Sequence, residues 1–167
     1  MSAKGITAPY QVAGEYIPFL SINVLCTAIT LGVIFTVMGL GIFSMEEFSK
    51  GYVSDYIGFG IKLIPVCIMF SALGFMIFEI LIGVINKILV AFMLYIGMGY
   101  VSGYFYPKTF FPGVVQRIGE IIPSGVAFRY IGQILTRGHA PLLALSLFAY
   151  SLLFLVVATA LRQQKIR

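Results

Sequence analysis

The chain has 167 residues, of which 60% are hydrophobic and only 10% charged, with a mean hydropathy of +1.01. Soluble domains carry about 25% charged residues, so the composition excludes an ordinary soluble domain and leaves much of the surface to lipid. The net charge of +5 comes from basic residues scattered between apolar runs. That pattern builds no basic groove for nucleic acid and fits charges at the ends of membrane spans.

Residues 1–15, "MSAKGITAPYQVAGE", are polar to mixed. The first apolar run covers residues 16–43, with Ser21, Asn23, Thr27, Thr30 and Thr36 among its hydrogen-bonding side chains. It is longer than the roughly 7–15 residues of a signal-peptide core, so it reads as a span and not as a cleavable signal. A polar connector, "SMEEFSKGYVSDY", occupies 44–56. The second run, 57–85, contains Lys62, Pro65 and Glu79, and Asn86–Lys87 reads as a tight break after it. The third run covers 88–106 and the fourth 140–161, followed by the basic tail "RQQKIR" at 162–167.

A spanning helix needs roughly 20 apolar residues, and four runs meet that length. The short alternating segments of a transmembrane barrel are absent, so helices are the expected spanning form. The expected fold is an all-α membrane protein with four transmembrane helices and a membrane domain over 16–161. Four spans place both termini on one side. That side holds Lys4, Lys87, Arg162, Lys165 and Arg167, against Lys50, Lys62, Lys108, Arg117, Arg129 and Arg137 on the other. The counts nearly balance, and it is the clustering in the tail that points both termini to the cytoplasm.

Between the third and fourth runs the sequence reads "GYVSGYFYPKTFFPGVVQRIGEIIPSGVAFRYIGQIL". Pro107, Pro112 and Pro123 break it, and helical periodicity resumes over 113–122 and 124–137. In the first piece Val114, Val115, Ile118, Ile121 and Ile122 recur at helical spacing, while Gln116, Arg117 and Glu120 take the other side; Arg117 and Glu120, three apart, can pair. In the second, Arg129, Gln133 and Arg137 form a polar stripe at four-residue spacing. Both helices are amphipathic and too short to span. Pro112, Pro123 and Ser124 are the candidate turn residues, with Ser124 as the expected N-cap of the returning helix. Two readings stay open: the pair lies flat in the interface, or it dips into the membrane and returns, which requires that protein or water satisfy the turn.

The same residues carry a family resemblance. Ser102, Gly103, Tyr104, Phe105, Pro107, Pro112 and Pro123 resemble the end of the membrane domain of type-2 ATP-binding-cassette (ABC) exporter permeases. In that family the penultimate span ends in Ser-Gly-aromatic-aromatic-x-Pro and two short helices precede the last span. "SAKGITAPYQVAGEYIPF" is similar to the family's cytoplasmic coupling segment, a basic residue plus Gly followed by a short helix. The resemblance covers essentially the whole chain but only the second half of a six-span permease, so a split half, a fragment and a truncated product are all expected forms. It implies a permease subunit, or the C-terminal half of one, in the cell membrane, moving an amphipathic or lipid-like substrate outward. It further implies that Lys4, Gly5, Ile6, Thr7, Ala8, Pro9 and Tyr10 couple to a separate cytoplasmic ATPase, which binds ATP and Mg. A second permease copy or the missing N-terminal half is the other implied partner. Glu120, Arg129 and Gln133 become candidates for an exit path, with Glu120 and Arg129 read equally as exposed interfacial charges. The alternative reading is a small four-span scaffold or assembly factor without transport.

Four further features stand out. Glu79 lies in an apolar run, where a charged carboxylate costs roughly 2.5–3.5 kcal/mol near the bilayer centre; its place two turns from Asn86–Lys87 favours a structural role facing Lys87 or a neighbouring helix. Gly99 and Gly103 form a small-xxx-small pair, read either as a site of close helix approach or as ordinary membrane glycines. Tyr95, Tyr100, Tyr104, Phe105 and Tyr106 suit an interfacial aromatic belt. Cys26 and Cys67 show no metal or disulfide spacing and read as buried structural thiols, and the only histidine is His139. No P-loop, G-x-S-x-G or HExxH pattern occurs, so neither ATP hydrolysis nor another catalytic site, and no cofactor or metal, is expected of this chain itself.

Overall fold

A computed structural model describes residues 8–42 and 52–166. The chain is an all-α, multi-pass membrane protein. In chain order the helices are α1 (Ala8–Ile42), α2 (Tyr52–Ile80), α3 (Val84–Ser102), α4 (Gly113–Ile121), α5 (Pro123–Arg137) and α6 (Pro141–Ile166), with a 3-10 turn at Lys108–Phe110. Apolar windows long enough to cross a bilayer lie in α1, α2, α3 and α6, over Pro9–Val33, Ile57–Ile80, Val84–Ser102 and Pro141–Lys165. Helices α4 and α5 are the two short amphipathic ones.

Helix α2 is the centre of the bundle. Its apolar window is half buried, far more than those of α1 and α3. Met69, Ala72 and Leu73 of α2 join Leu147, Phe154 and Ala158 of α6 in the core, with Val126, Ala127 and Tyr130 of α5 closing one end. Helix α1 runs antiparallel to α2, since Glu15 and Glu79 share Arg162 at one end while Leu31 lies by Gly60 toward the other; Tyr16 Oη donates to the Ile68 carbonyl at 3.0 Å, and Asn23 Nδ2 donates to Ser71 Oγ at 2.8 Å. Such polar pairs join helices where lipid offers no partner. Helix α6 runs parallel to α2, because Arg162 meets Glu79 at one end while Lys62 and Ala144 share a cleft at the other.

Several boundaries differ from those read in the sequence. Residues 8–15 are not a separate segment; they are the first two turns of α1, continuous with the span. The break after α2 falls at Leu81–Gly83, not at Asn86–Lys87. Gly83 sits at φ 84° just before α3, and Asn86 and Lys87 belong to the first turns of that helix, where polar side chains reach the interface without ending the helix. Helix α3 stops at Ser102, short of Tyr106. Gly103 takes φ 88° and its N–H bonds the Tyr100 carbonyl, while Tyr104 N–H bonds Gly99 O at 3.0 Å. This is a Schellman ending, which requires a residue tolerant of positive φ. The tail is also not separate, since α6 runs on to Ile166.

The glycine pair therefore does not serve helix approach. Gly103 ends α3, and Gly99 makes room for the Phe105 ring, whose Cε2 would lie 2.6 Å from a Cβ there. Tyr95 leaves the expected aromatic belt for the interior: its hydroxyl donates to the Phe70 carbonyl at 3.2 Å. Tyr100, Tyr104, Phe105 and Tyr106 stay exposed at the end of α3. The cysteines are free thiols but not buried as expected: Cys26 is exposed and Cys67 half-buried, because α1 and α2 leave those faces uncovered.

Candidate functional site

Two constellations concentrate the chemistry, one at each end of the bundle. The first is the α4–α5 hairpin. Pro112 occupies the N-cap position of α4, where Gln116 Nε2 donates to the Phe111 carbonyl at 2.7 Å. It starts the hairpin and does not shape its turn. The turn is Ile122, extended at φ −61°, ψ 150°, followed by Pro123 as the first residue of α5. Proline at that position has its φ pre-set and lacks only an N–H that the helix would leave unbonded.

Ser124 is not the N-cap; Ile122 is. With Pro123 taking the first helical position, Ser124 moves one residue inward and turns to α3. Its Oγ donates to the Met98 carbonyl at 3.2 Å and contacts Ser102 Oγ, which itself donates to Met98 O at 2.6 Å. Both serines are buried. The hairpin closes because two glycines face each other: a Cβ on Gly125 would lie 1.7 Å from Gly119 O, and one on Gly119 would lie 2.2 Å from Val101 O. Only bare backbone fits there.

The turn sits well along the bundle. Tyr150 Oη donates to the Ile121 carbonyl at 2.5 Å. Tyr150 stands nine residues past Pro141, about 14 Å along α6. Its ring leans toward the helix start, which puts the turn roughly 8–14 Å in from that end. Farther out, Tyr130 Oη donates to the Lys62 carbonyl at 2.7 Å; burial pushes the Tyr130 hydroxyl above its ordinary pKa.

Of the polar residues read as an exit path, Glu120 and Arg129 lie on the exposed side of the hairpin. Arg129 Nη2 donates to the main-chain carbonyl of Glu120 at 2.8 Å, and both side chains are exposed. Arg117 forms no ion pair with Glu120, because the described salt bridges all involve Arg162 or Lys165. Gln133, one turn beyond Arg129, is half-buried.

The second constellation is at the opposite end. Arg162 Nη2 donates to Glu79 Oε1 at 2.6 Å and to Glu15 Oε2 at 2.8 Å, so one guanidinium joins α1, α2 and α6. Lys165 Nζ bonds the Glu79 carbonyl and lies 4.0 Å from its carboxylate. Glu79 is 8% exposed; the buried carboxylate thus has its counter-charges on α6. Lys87, expected as one partner, instead lies over the Phe78 ring at 5.6 Å. Sequence reasoning missed Glu15, Arg162 and Lys165 as a group. The available signal was the cost of Glu79, which demands a cation at the same end.

Of the coupling residues, Lys4, Gly5, Ile6 and Thr7 lie outside the described residues. Ala8, Pro9 and Tyr10 form the first turn of α1, with Tyr10 exposed, less than two turns before Glu15. Among the described residues no group of three His, Cys, Asp or Glu side chains is placed to hold a metal. Comparison with protein-family models, with curated proteins and with solved structures finds no match to the chain.

Proposed function

We propose that the chain is the membrane-spanning permease part, or the C-terminal half of one, of an ABC exporter that moves an amphipathic or lipid-like substrate outward. A single observation carries this reading: a helical hairpin, between the third and fourth spans, whose turn is held against the last turn of α3 by Ser124 and part-way along α6 by Tyr150. A spacer between two spans needs no such inward turn. A device that opens a path through one leaflet does.

In this reading both termini are cytoplasmic, the membrane is the cell membrane, and the segment Lys4–Tyr10 docks on a separate ATPase that binds ATP and Mg. Closure of the ATPases pushes on the start of α1. Glu15 passes the displacement to Arg162 on α6. Helix α6 also carries Tyr150, which grips the hairpin at Ile121. Movement at the cytoplasmic end thus reaches the hairpin through one rigid helix. Arg129 and Gln133, on α5, stand where a second permease half or the departing substrate meets this chain.

A photo-crosslinker in place of Tyr10 tests the docking in the cell's own membranes. The expected product joins the chain to an ATP-binding subunit carrying a P-loop. Crosslinks to lipid or to non-ATPase proteins alone contradict the reading and favour a scaffold.

A further inference from the structure

The end of the bundle opposite the charged cluster holds a cleft of about 420 Å³ between the start of α2, the end of α5 and the start of α6. Ile134, Ala140, Pro141 and Ala144 give it apolar walls, and Lys62 and His139 bring cationic and hydrogen-bonding groups to it. We propose that this cleft holds the headgroup of an anionic phospholipid, with the Lys62 ammonium and the His139 imidazole on its phosphate.

Charge complementarity selects the occupant. Lys62 stands five residues inside the apolar window of α2, about 7–8 Å along the helix axis. A lysine there extends toward the interface and seeks an anion. No hydrogen bond or ion pair of its ammonium occurs among the described residues; the bond from Tyr130 goes to the Lys62 main-chain carbonyl. The acidic residues whose side chains are described are Glu15, Glu79 and Glu120. The first two are bound up with Arg162 at the far end, and Glu120 is on α4. His139 is exposed beside Gly138 and donates a hydrogen bond in either protonation state. Arg137, one residue before Gly138, adds positive charge nearby.

The walls favour a lipid over a free anion. Leu142 and Leu145, next to the cleft on α6, are strongly exposed, so acyl chains leaving it would run down an apolar helix face. Basic pockets between membrane helices on the cytoplasmic side bind anionic headgroups through this combination, and the same chemistry is available at this end. The site does not depend on the chain's working with an ATPase.

Native mass spectrometry of the full chain in mild detergent tests the site, with phosphatidylglycerol and phosphatidylcholine added in equal amount. The wild-type chain should retain phosphatidylglycerol in preference. Lys62→Gln should weaken that retention about five-fold, the effect of one cation at a headgroup, with helicity unchanged. His139→Gln, at an exposed position, should weaken it by a smaller factor. Lys87→Gln, at the far end, should leave it as in the wild type. Equal retention of the two lipids, a preference untouched by both cleft substitutions, or an equal loss in Lys87→Gln would each overturn the site.

Discussion

Arg162 and Glu79 meet at 2.6 Å although 83 residues separate them in the sequence. The pair is asymmetric with respect to Glu15, the other partner of Arg162. The Glu79 side chain is 10% exposed and that of Glu15 60%. Removing one partner of a buried pair strands a charge and costs about 3–5 kcal/mol. An exposed pair contributes about 0–1 kcal/mol. Arg162→Ala should therefore lower stability in detergent by about 3 kcal/mol or more, and Glu15→Gln by less than about 1 kcal/mol. In the double variant with Glu79→Gln, part of the Arg162→Ala loss should be recovered. Reversible denaturation in mixed micelles reads all three, and equal small losses for Arg162→Ala and Glu15→Gln would contradict the assignment.

The glycine contact in the hairpin gives a second test within one helix. Gly125 has no room for a Cβ, while a Cβ on Gly132 meets nothing within 4 Å. Gly125→Ala should cost about 2–3 kcal/mol or more, since backbone and not a flexible side chain must shift. Gly132→Ala should gain up to about 1 kcal/mol from helix propensity. Thermal unfolding of the two variants in detergent should move in opposite directions.

Depth is the third. Ile121, Val114 and Leu135 are all strongly exposed positions of the hairpin and tolerate a spin label, which Gly125 does not. In vesicles, a nitroxide at Ile121 should lie deeper than nitroxides at Val114 and Leu135. Equal depths would mean that the helices lie flat in the interface, and the path from α6 to the hairpin would lose its role.

Topology is the fourth. The charged cluster places Glu15 and Arg162 at one end of the bundle, and the basic residues Arg162 and Lys165 favour the cytoplasm there. In a variant lacking Cys26 and Cys67, a cysteine at Gln164 should react with an impermeant maleimide only after permeabilisation. One at Thr136 should react in intact cells. The reverse pattern would invert the orientation and with it the direction of the proposed export.

The sequence made the four spans legible, because runs of apolar residues admit no other spanning form, and prolines marked the two short helices between the last two. What it hid were choices made by single residues and by tertiary contact. Gly103 ended α3 four residues before the aromatic run did, because positive φ matters more than hydropathy at a helix terminus. Ser124 looked like a cap and became a cross-helix donor once Pro123 took the first helical position. Glu79 announced a need for a cation, but only folding could choose Arg162 over Lys87. Asn86 and Lys87 resembled a break because polar residues at a helix start and in a loop look alike.

The proposed function requires the membrane bundle to work with a separate ATP-hydrolysing chain. Its most direct measurement is ATP hydrolysis by material purified from the native membranes in mild detergent through a tag on this chain. The expected result is vanadate-sensitive hydrolysis that elutes with the chain and is carried by another subunit. Fractions that contain the intact, helical chain but hydrolyse no ATP would contradict it.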